Sequence, residues 1–182
     1  MQAVSEQERL PVLIRPESAA DHDAIRSLTA RAFSGLSFSD GTEPVVVDAL
    51  RQADAMALSL VAVVGEEPVG HIAFSAVGPT DLQGWFALGP LSVEPSVQRR
   101  RVGTRLVEAG LAGLRARGAM GCVLVGDPGY YQRFGFAVAP ACAPPEYSAE
   151  HFQVLPFCTS LPHVRVAFHE AVSAGPKREG RR

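Results

Sequence analysis

Two hydrophobic periods alternate along this chain, one extended and one helical. Residues 12–16 (Val-Leu-Ile-Arg-Pro) read as a short strand stopped by proline. Past residue 21, Ile25, Leu28, Ala32 and Phe33 fall on one helix face, with Asp21 or Asp23 placed to cap it. Residues 34–41, rich in Ser and Gly, break the pattern. A second helix starts at Asp40 or Thr42 and carries Val46, Val47, Leu50 and Arg51. Residues 57–64 and 69–77 are apolar runs of strand length joined by Gly65-Glu66-Glu67-Pro68, a hairpin signal. Residues 85–93 read as a further strand with Gly89-Pro90 inside it. Proline cannot donate to a ladder, so a bulge is predicted there.

Residues 94–101 are polar and basic, and the helical period then returns. Val102, Leu106, Val107, Leu111 and Leu114 share a stripe over 102–117, and Gly118 suits the position just past the helix end. Residues 122–125 form a short buried strand, 126–129 a turn, and 130–134 a short helix ended near Gly135. The Pro-rich segment 137–149 reads as a loop, and 151–157 and 164–169 as two closing strands. The order β-α-α-β-β-β-α-β-α-β-β predicts an α/β (α+β) domain over residues 12–170, with a mostly antiparallel mixed sheet flanked by about four helices. A loose tail at 1–11 and a charged, disordered tail at 171–182 are expected beside it.

Composition narrows the function classes. With 182 residues, 47% apolar, one domain with a real core is the natural reading. A net charge of −2 gives no overall basic footprint, so a nucleic-acid partner is not expected. Lys177 is the sole lysine, so nearly all fixed positive charge is planar, phosphate-matching guanidinium. Cys122, Cys142 and Cys158 form no CxxC pair, and Cys158, His163 and His169 lack zinc spacing, so no metal is expected. The N-terminus has no apolar signal core and no apolar run could span a bilayer. A cytoplasmic protein with no membrane association is the expectation.

The chemistry concentrates in one stretch. A strand ends at Val93, a loop carries Gln98, Arg99, Arg100 and Arg101, and a helix begins near Val102–Gly103. The first turn of a helix offers unpaired N–H groups and the positive end of its dipole. A phosphate fits there, Gly103 lets the backbone come close, and the arginines add charge. Neither a G-x-x-x-x-G-K-[ST] loop nor a G-x-G-x-x-G after a strand is present. A solvated basic loop capping a core helix is the plain alternative.

Two motifs in this order resemble the GNAT acetyltransferases. Val93-x-Pro95 followed by Gln98-x-x-Arg101-x-Gly103 and an amphipathic helix is similar to their acetyl-CoA motif, Q/R-x-x-G-x-G/A. Tyr131-Gln-Arg-Phe-Gly-Phe136 is similar to their Y-x-x-x-G-F. The resemblance covers about residues 12–170, and the phrasing around both motifs resembles a bacterial subgroup of acetyltransferases. It implies a splayed strand pair, opened by the Gly89-Pro90 bulge, with acetyl-CoA as acyl donor. It further implies that Leu91, Ser92 and Val93 meet pantetheine through backbone groups. A backbone N–H near Leu91 would face the thioester oxygen. Gln98, Arg99, Arg100, Arg101, Val102, Gly103 and Thr104 would form the pyrophosphate loop. Tyr131 would be the general acid. Arg101 departs from the motif glycine, and if that position needs φ > 0 a side chain costs about 1 kcal/mol. Tyr130, next to Tyr131, is read as packing.

The general base stays open. Glu43 opens the second helix and is equally a dipole-stabilised N-terminal acid. His71 lies mid-strand and is equally a hydrogen-bonded sheet histidine, and a water chain could do without either. Cys122 is read as core. The implied activity is transfer of an acetyl group to a primary amine by direct attack in a ternary complex. The acceptor would be a small molecule or a protein amine, and the Pro-rich loop with Tyr147 favours the former. The protein is expected to be a monomer or homodimer. The alternative is an acyl-CoA-binding sensor or partner module with weak or no catalysis.

Overall fold

The computed structural model describes residues 10–79, 82–157 and 161–173. Residues 1–9 and 174–182 of the two expected tails, and Cys158, lie outside them. The strands are β1 (Val12–Pro16), β2 (Met56–Val64), β3 (Glu67–Ala76), β4 (Trp85–Val93), β5 (Gly121–Val125), β6 (Ala137–Val138) and β7 (Phe152–Pro156). The helices are α1 (His22–Phe33), α2 (Glu43–Gln52), α3 (Val102–Ala116) and α4 (Pro128–Tyr131). The sheet order is β1-β2-β3-β4-β5-β7-β6, antiparallel throughout except for the β4–β5 pair.

Strand alternation sorts the side chains between two faces. On one face Leu58, Leu60 and Ala62 of β2, Ile72 and Phe74 of β3, and Cys122 and Leu124 of β5 meet the α3 stripe of Val102, Leu106, Val107, Leu111 and Leu114. On the other, Val61 and Val63 of β2 meet Ile25 of α1 and Val47 of α2. Among the described residues no α-helix packs on that second face near β5 and β7. There Val123, Phe152 and Val154 pack against Cys142, Ala143 and Val166 from the loop after β6 and the C-terminal segment. Helix α3 ends as its sequence predicts. Gly118 has φ 75, and the N–H groups of Gly118 and Ala119 donate to Arg115 and Leu114 carbonyls.

Four expectations change. Residues 164–169 form no strand. Gly78 and Ala167 exchange two hydrogen bonds as a single bridge, and Val166 N–H donates to Cys142 O at 2.9 Å. The alternation there reflects packing: Val166 is buried, and Phe168 sits 5.0 Å from the Tyr147 ring and 6.3 Å from the Phe152 ring. The loop 137–149 begins instead with a two-residue strand, β6, paired with β7. Asp21 occupies the N-cap position of α1 without capping it. Its carboxylate accepts from Arg15 at 2.7 and 2.8 Å and from Ser18 N and Oγ at 2.7 and 2.8 Å. Arg15 and the Ser18 bonds hold that carboxyl well below the usual range despite its burial. The first three residues of the expected C-terminal tail belong to a helical turn, Glu170–Ser173, whose Ala171 packs on Val46 and Leu50 of α2.

Candidate active site

The site begins with a strand that leaves its neighbour. β4 pairs with β5 only through Trp85↔Gly121, Phe86↔Cys122 and Ala87↔Val123, yet it stays on β3 as far as Val93↔Gly70. Between Phe74↔Leu88 and Ile72↔Leu91, β4 spends one residue more than β3. The extra residue is the predicted bulge at Gly89-Pro90, and Gly89 sits at φ 142, where an L side chain is strained. From Leu88 onward the backbone groups of β4 on the β5 side have no strand partner. A wedge opens between β4 and β5, as the sequence resemblance implied.

The wedge leads to the start of α3. Arg99 and Arg101 adopt left-handed conformations, φ 62 and 66, which turn the chain sharply into the helix. Arg101 is the N-cap residue and supplies no side-chain cap. The first intrahelical bond is Arg105 N to Arg101 O at 3.0 Å, so the N–H groups of Val102, Gly103 and Thr104 point out of the helix end. Arg99, Arg100 and Arg101 are exposed, and none meets a carboxylate among the described residues. Gln98 Nε2 donates to Val93 O at 3.1 Å and ties the loop to the end of β4. Ser92 turns its side chain away and donates to Thr29 Oγ1 of α1 at 3.1 Å. A Cβ at Gly103 would stand 3.4 Å from Val93 Cγ2 and 3.8 Å from Leu91 Cδ2, so these side chains border the helix start.

Helix α4 closes the far wall. Asp127 Oδ1 accepts from Gly129 N at 2.9 Å, and Asp127 O accepts from Tyr130 and Tyr131 N–H at 3.0 and 3.1 Å. The Tyr131 ring is packed against Gly126 and Leu124 at the end of β5 and edge-on to Phe136, centroids 6.0 Å apart. Burial, with Tyr130, Cys122 and Asp127 adding to it, pushes its phenol well above the ordinary pKa. Tyr130, expected only to pack, reaches the opposite wall. Its hydroxyl lies 3.0 Å from the Cβ position of Gly103. The sequence signal was an aromatic pair on a short helix, whose neighbours point about 100° apart.

The two candidate bases part company. Glu43 lines a cleft of ≈ 270 Å³ with Phe33, Leu36, Ser39 and Pro44, and accepts from Ser39 Oγ at 2.9 Å. His71 is fully buried, on the α1–α2 face. Its Nε2 lies 2.8 Å from Ser59 Oγ and 3.3 Å from Glu17 Oε2. That is the geometry of the hydrogen-bonded sheet histidine. Sequence reasoning missed the network around it, in which Arg51 donates to Glu17 at 3.1 and 3.2 Å and to Asp48 at 3.0 Å. Burial opposes ionisation of Glu17. Hydrogen bonds from His71, Arg51 and Ser59 outweigh it and hold that carboxyl well below its usual range. Cys122 is wholly buried, and burial raises its thiol far from the reactive range. Among the described residues no cluster of His, Cys, Asp and Glu could hold a metal ion, and no helix is long and apolar enough to cross a membrane.

Known proteins share this fold and much of this sequence. The profile of the acetyltransferase (GNAT) family matches residues 22–136. The chain is 36% identical over 133 residues to the N-acetyltransferase YhbS of Escherichia coli K12, covering 70% of this chain and 75% of that one. The crystal structure of YhbS from Escherichia coli in complex with CoA has a TM-score of 0.80 at 32% identity, over 90% of this chain and 93% of that one. A GNAT family acetyltransferase from Brucella melitensis, solved in complex with acetyl-CoA, has a TM-score of 0.79 at 43% identity, over 89% and 98%.

Proposed function

This chain belongs to the acetyltransferase (GNAT) family, and from that premise we propose that it moves the acetyl group of acetyl-CoA to a primary amine by direct attack in a ternary complex. One observation carries the reading: the β4–β5 wedge opens onto a helix start with unpaired N–H groups and arginines that meet no carboxylate among the described residues. The residues present fit acetyl-CoA. The N–H groups of Val102, Gly103 and Thr104 and the flanking guanidiniums suit its pyrophosphate. The unpaired β4 edge suits its amide-bearing arm, and the absence of a side chain at Gly103 leaves the helix end open. When bound, acetyl-CoA supplies the activated acyl carbon.

The chain's own groups do the rest. A backbone N–H near Leu91 would face the thioester oxygen and stabilise charge developing there. Tyr131 holds a proton at Oη for the departing sulfur. Its buried setting keeps the phenol neutral across the physiological range. Burial disfavours the phenolate as well as the thiolate, so the proton passes to sulfur as the C–S bond breaks and Tyr131 is reprotonated by the proton that the amine releases. Glu43, in its cleft, takes the amine proton directly or through water. His71, sealed in its network, does not. A cleft of ≈ 270 Å³ lies just under the usual size of drug-binding pockets, which favours a compact amine over a protein chain.

The test is CoA release with a panel of amines. Tyr131→Phe lowers kcat by about 100-fold or more while acetyl-CoA binding is retained. Equal background release by wild type and variant, with binding intact, supports a non-catalytic acyl-CoA-binding module instead.

A further inference from the structure

The cleft beside Glu43 combines a single charge with an apolar wall. Its side chains come from the end of α1 (Ala30, Phe33) and from the turn into α2 (Leu36, Ser39, Glu43, Pro44). Glu43 is the sole ionisable side chain among the described residues that line it, and Ser39 Oγ donates to its carboxylate at 2.9 Å. No guanidinium, ammonium or imidazole is part of that lining. The cation of this stretch of α1, Arg31, is already engaged: its Nε and one terminal nitrogen donate to Glu94 Oε2 at 3.0 and 2.8 Å. The loop between the helices also leaves Leu36 and Phe38 39% and 76% exposed, so it offers apolar surface to a ligand.

Two ties hold this cleft to the strand that borders the wedge. Thr29, next to the lining residue Ala30, accepts from Ser92 Oγ of β4 at 3.1 Å, and both residues are fully buried. Two residues further along α1, Arg31 grips Glu94, which directly follows β4. Sliding α1 along β4 would break a buried hydrogen bond and an ion pair together. The cleft is thereby fixed beside the end of β4, whose free edge suits the amide-bearing arm of acetyl-CoA.

We propose that the acceptor is a compact primary amine on an apolar body without a carboxylate, and that Glu43 sets this preference. The inference rests on the acetyl-transfer reading above. An ammonium entering the cleft meets one carboxylate, and its hydrocarbon part meets Phe33, Leu36 and Pro44. A substrate carboxylate would face Glu43 with no cation in the lining to receive it, and like charges brought together cost binding. A second ammonium would lose hydration against the apolar side chains. The protons balance. The ammonium gives one to Glu43, which passes it to solvent. The nitrogen then forms the C–N bond as the C–S bond breaks, and its second proton restores the Tyr131 hydroxyl, whose own proton has gone to sulfur. The products are an N-substituted acetamide, CoA as its thiol and one proton.

Four probes test this by CoA release at saturating acetyl-CoA: 2-phenylethylamine, phenylalaninol, phenylalanine and putrescine. 2-Phenylethylamine and phenylalaninol are expected to be acetylated, with kcat/KM at least about 10-fold above phenylalanine, which differs from phenylalaninol in its carboxylate, and above putrescine. Glu43→Gln lowers turnover and narrows the gap between phenylalaninol and phenylalanine, because the repelling charge is gone while the amines are unchanged. Calorimetric titration of the same amines into the CoA-saturated proteins gives the two ratios even where the variant turns nothing over. Leu36→Ser raises KM for 2-phenylethylamine about 3-fold or more and leaves the Kd for acetyl-CoA unchanged, a split that general loss of structure would not produce. Phenylalanine accepted as well as phenylalaninol, a gap that Glu43→Gln leaves intact, or a preference for putrescine overturns the proposal. A wild type that binds acetyl-CoA and acetylates no amine would instead strike the transfer reading on which it rests.

Discussion

Arg101 sits at φ 66, a conformation that disfavours any residue with a Cβ. Its presence there, where the family motif has glycine, exchanges about 1 kcal/mol of backbone strain for a cation beside the helix start. Arg101→Gly is expected to raise the stability of the ligand-free protein by about 1 kcal/mol while weakening acetyl-CoA binding. A thermal melt and a calorimetric titration on the same preparation check both signs. The strain at Arg101 was legible from the motif; that at Arg99 was not, because no glycine or asparagine marks the position. The motif marks Tyr131 in the sequence, whereas nothing there marks the approach of the Tyr130 hydroxyl to Gly103, which depends on how the short helix is turned. His71 shows the same limit. Alternation puts a strand residue on one of two faces, and only pairing with Ser92, which faces Thr29, decides which.

Helix α3 joins the site to the core, and its packing leaves little slack. Gly110 lies in its middle, where intrinsic propensity alone favours alanine by about 1 kcal/mol. A Cβ there would fall 2.3 Å from the Phe74 ring, and Phe74 is wholly buried in β3. Gly110→Ala is therefore expected to destabilise by about 1–3 kcal/mol, packing overruling propensity. A lower urea midpoint with an unchanged slope checks this. α3 and the β4 bulge were readable because each leaves a local mark: a 3.6-residue stripe in one, a proline inside an apolar run in the other. The closing segment was not. Val166 and Phe168 alternate like a strand, but their burial comes from Cys142, Tyr147 and Phe152, contacts that no local pattern encodes. β6 was missed because two paired residues at the edge of a proline-rich loop leave no period at all.

At the scale of the molecule, the cleft is a consequence of divided pairing. β4 follows β3 to its end while β5 follows β7, so the two part where the bulge sits. α3 grows from the end of β4, and α4 from the end of β5, which makes the wedge a cleft with two helical walls. The Glu17–Arg51–His71 network ties α2 to the sheet beneath the opposite face, and the C-terminal segment covers what the helices leave open. The element order as far as α4 and the parting of β4 from β5 could be inferred from the sequence. The acceptor side could not, since the loop between α1 and α2 carries no recognisable code for an amine. The central claim is that the cleft holds acetyl-CoA with its pyrophosphate at the start of α3. Calorimetric titration of the wild type and of Gly103→Glu, each shown to be folded by circular dichroism, tests it most directly. The account predicts binding with a Kd on the order of micromolar in the wild type and its loss in the variant, whose carboxylate occupies the pyrophosphate position. A folded wild type that gives no heat up to millimolar acetyl-CoA, or a variant that binds as well, would contradict it.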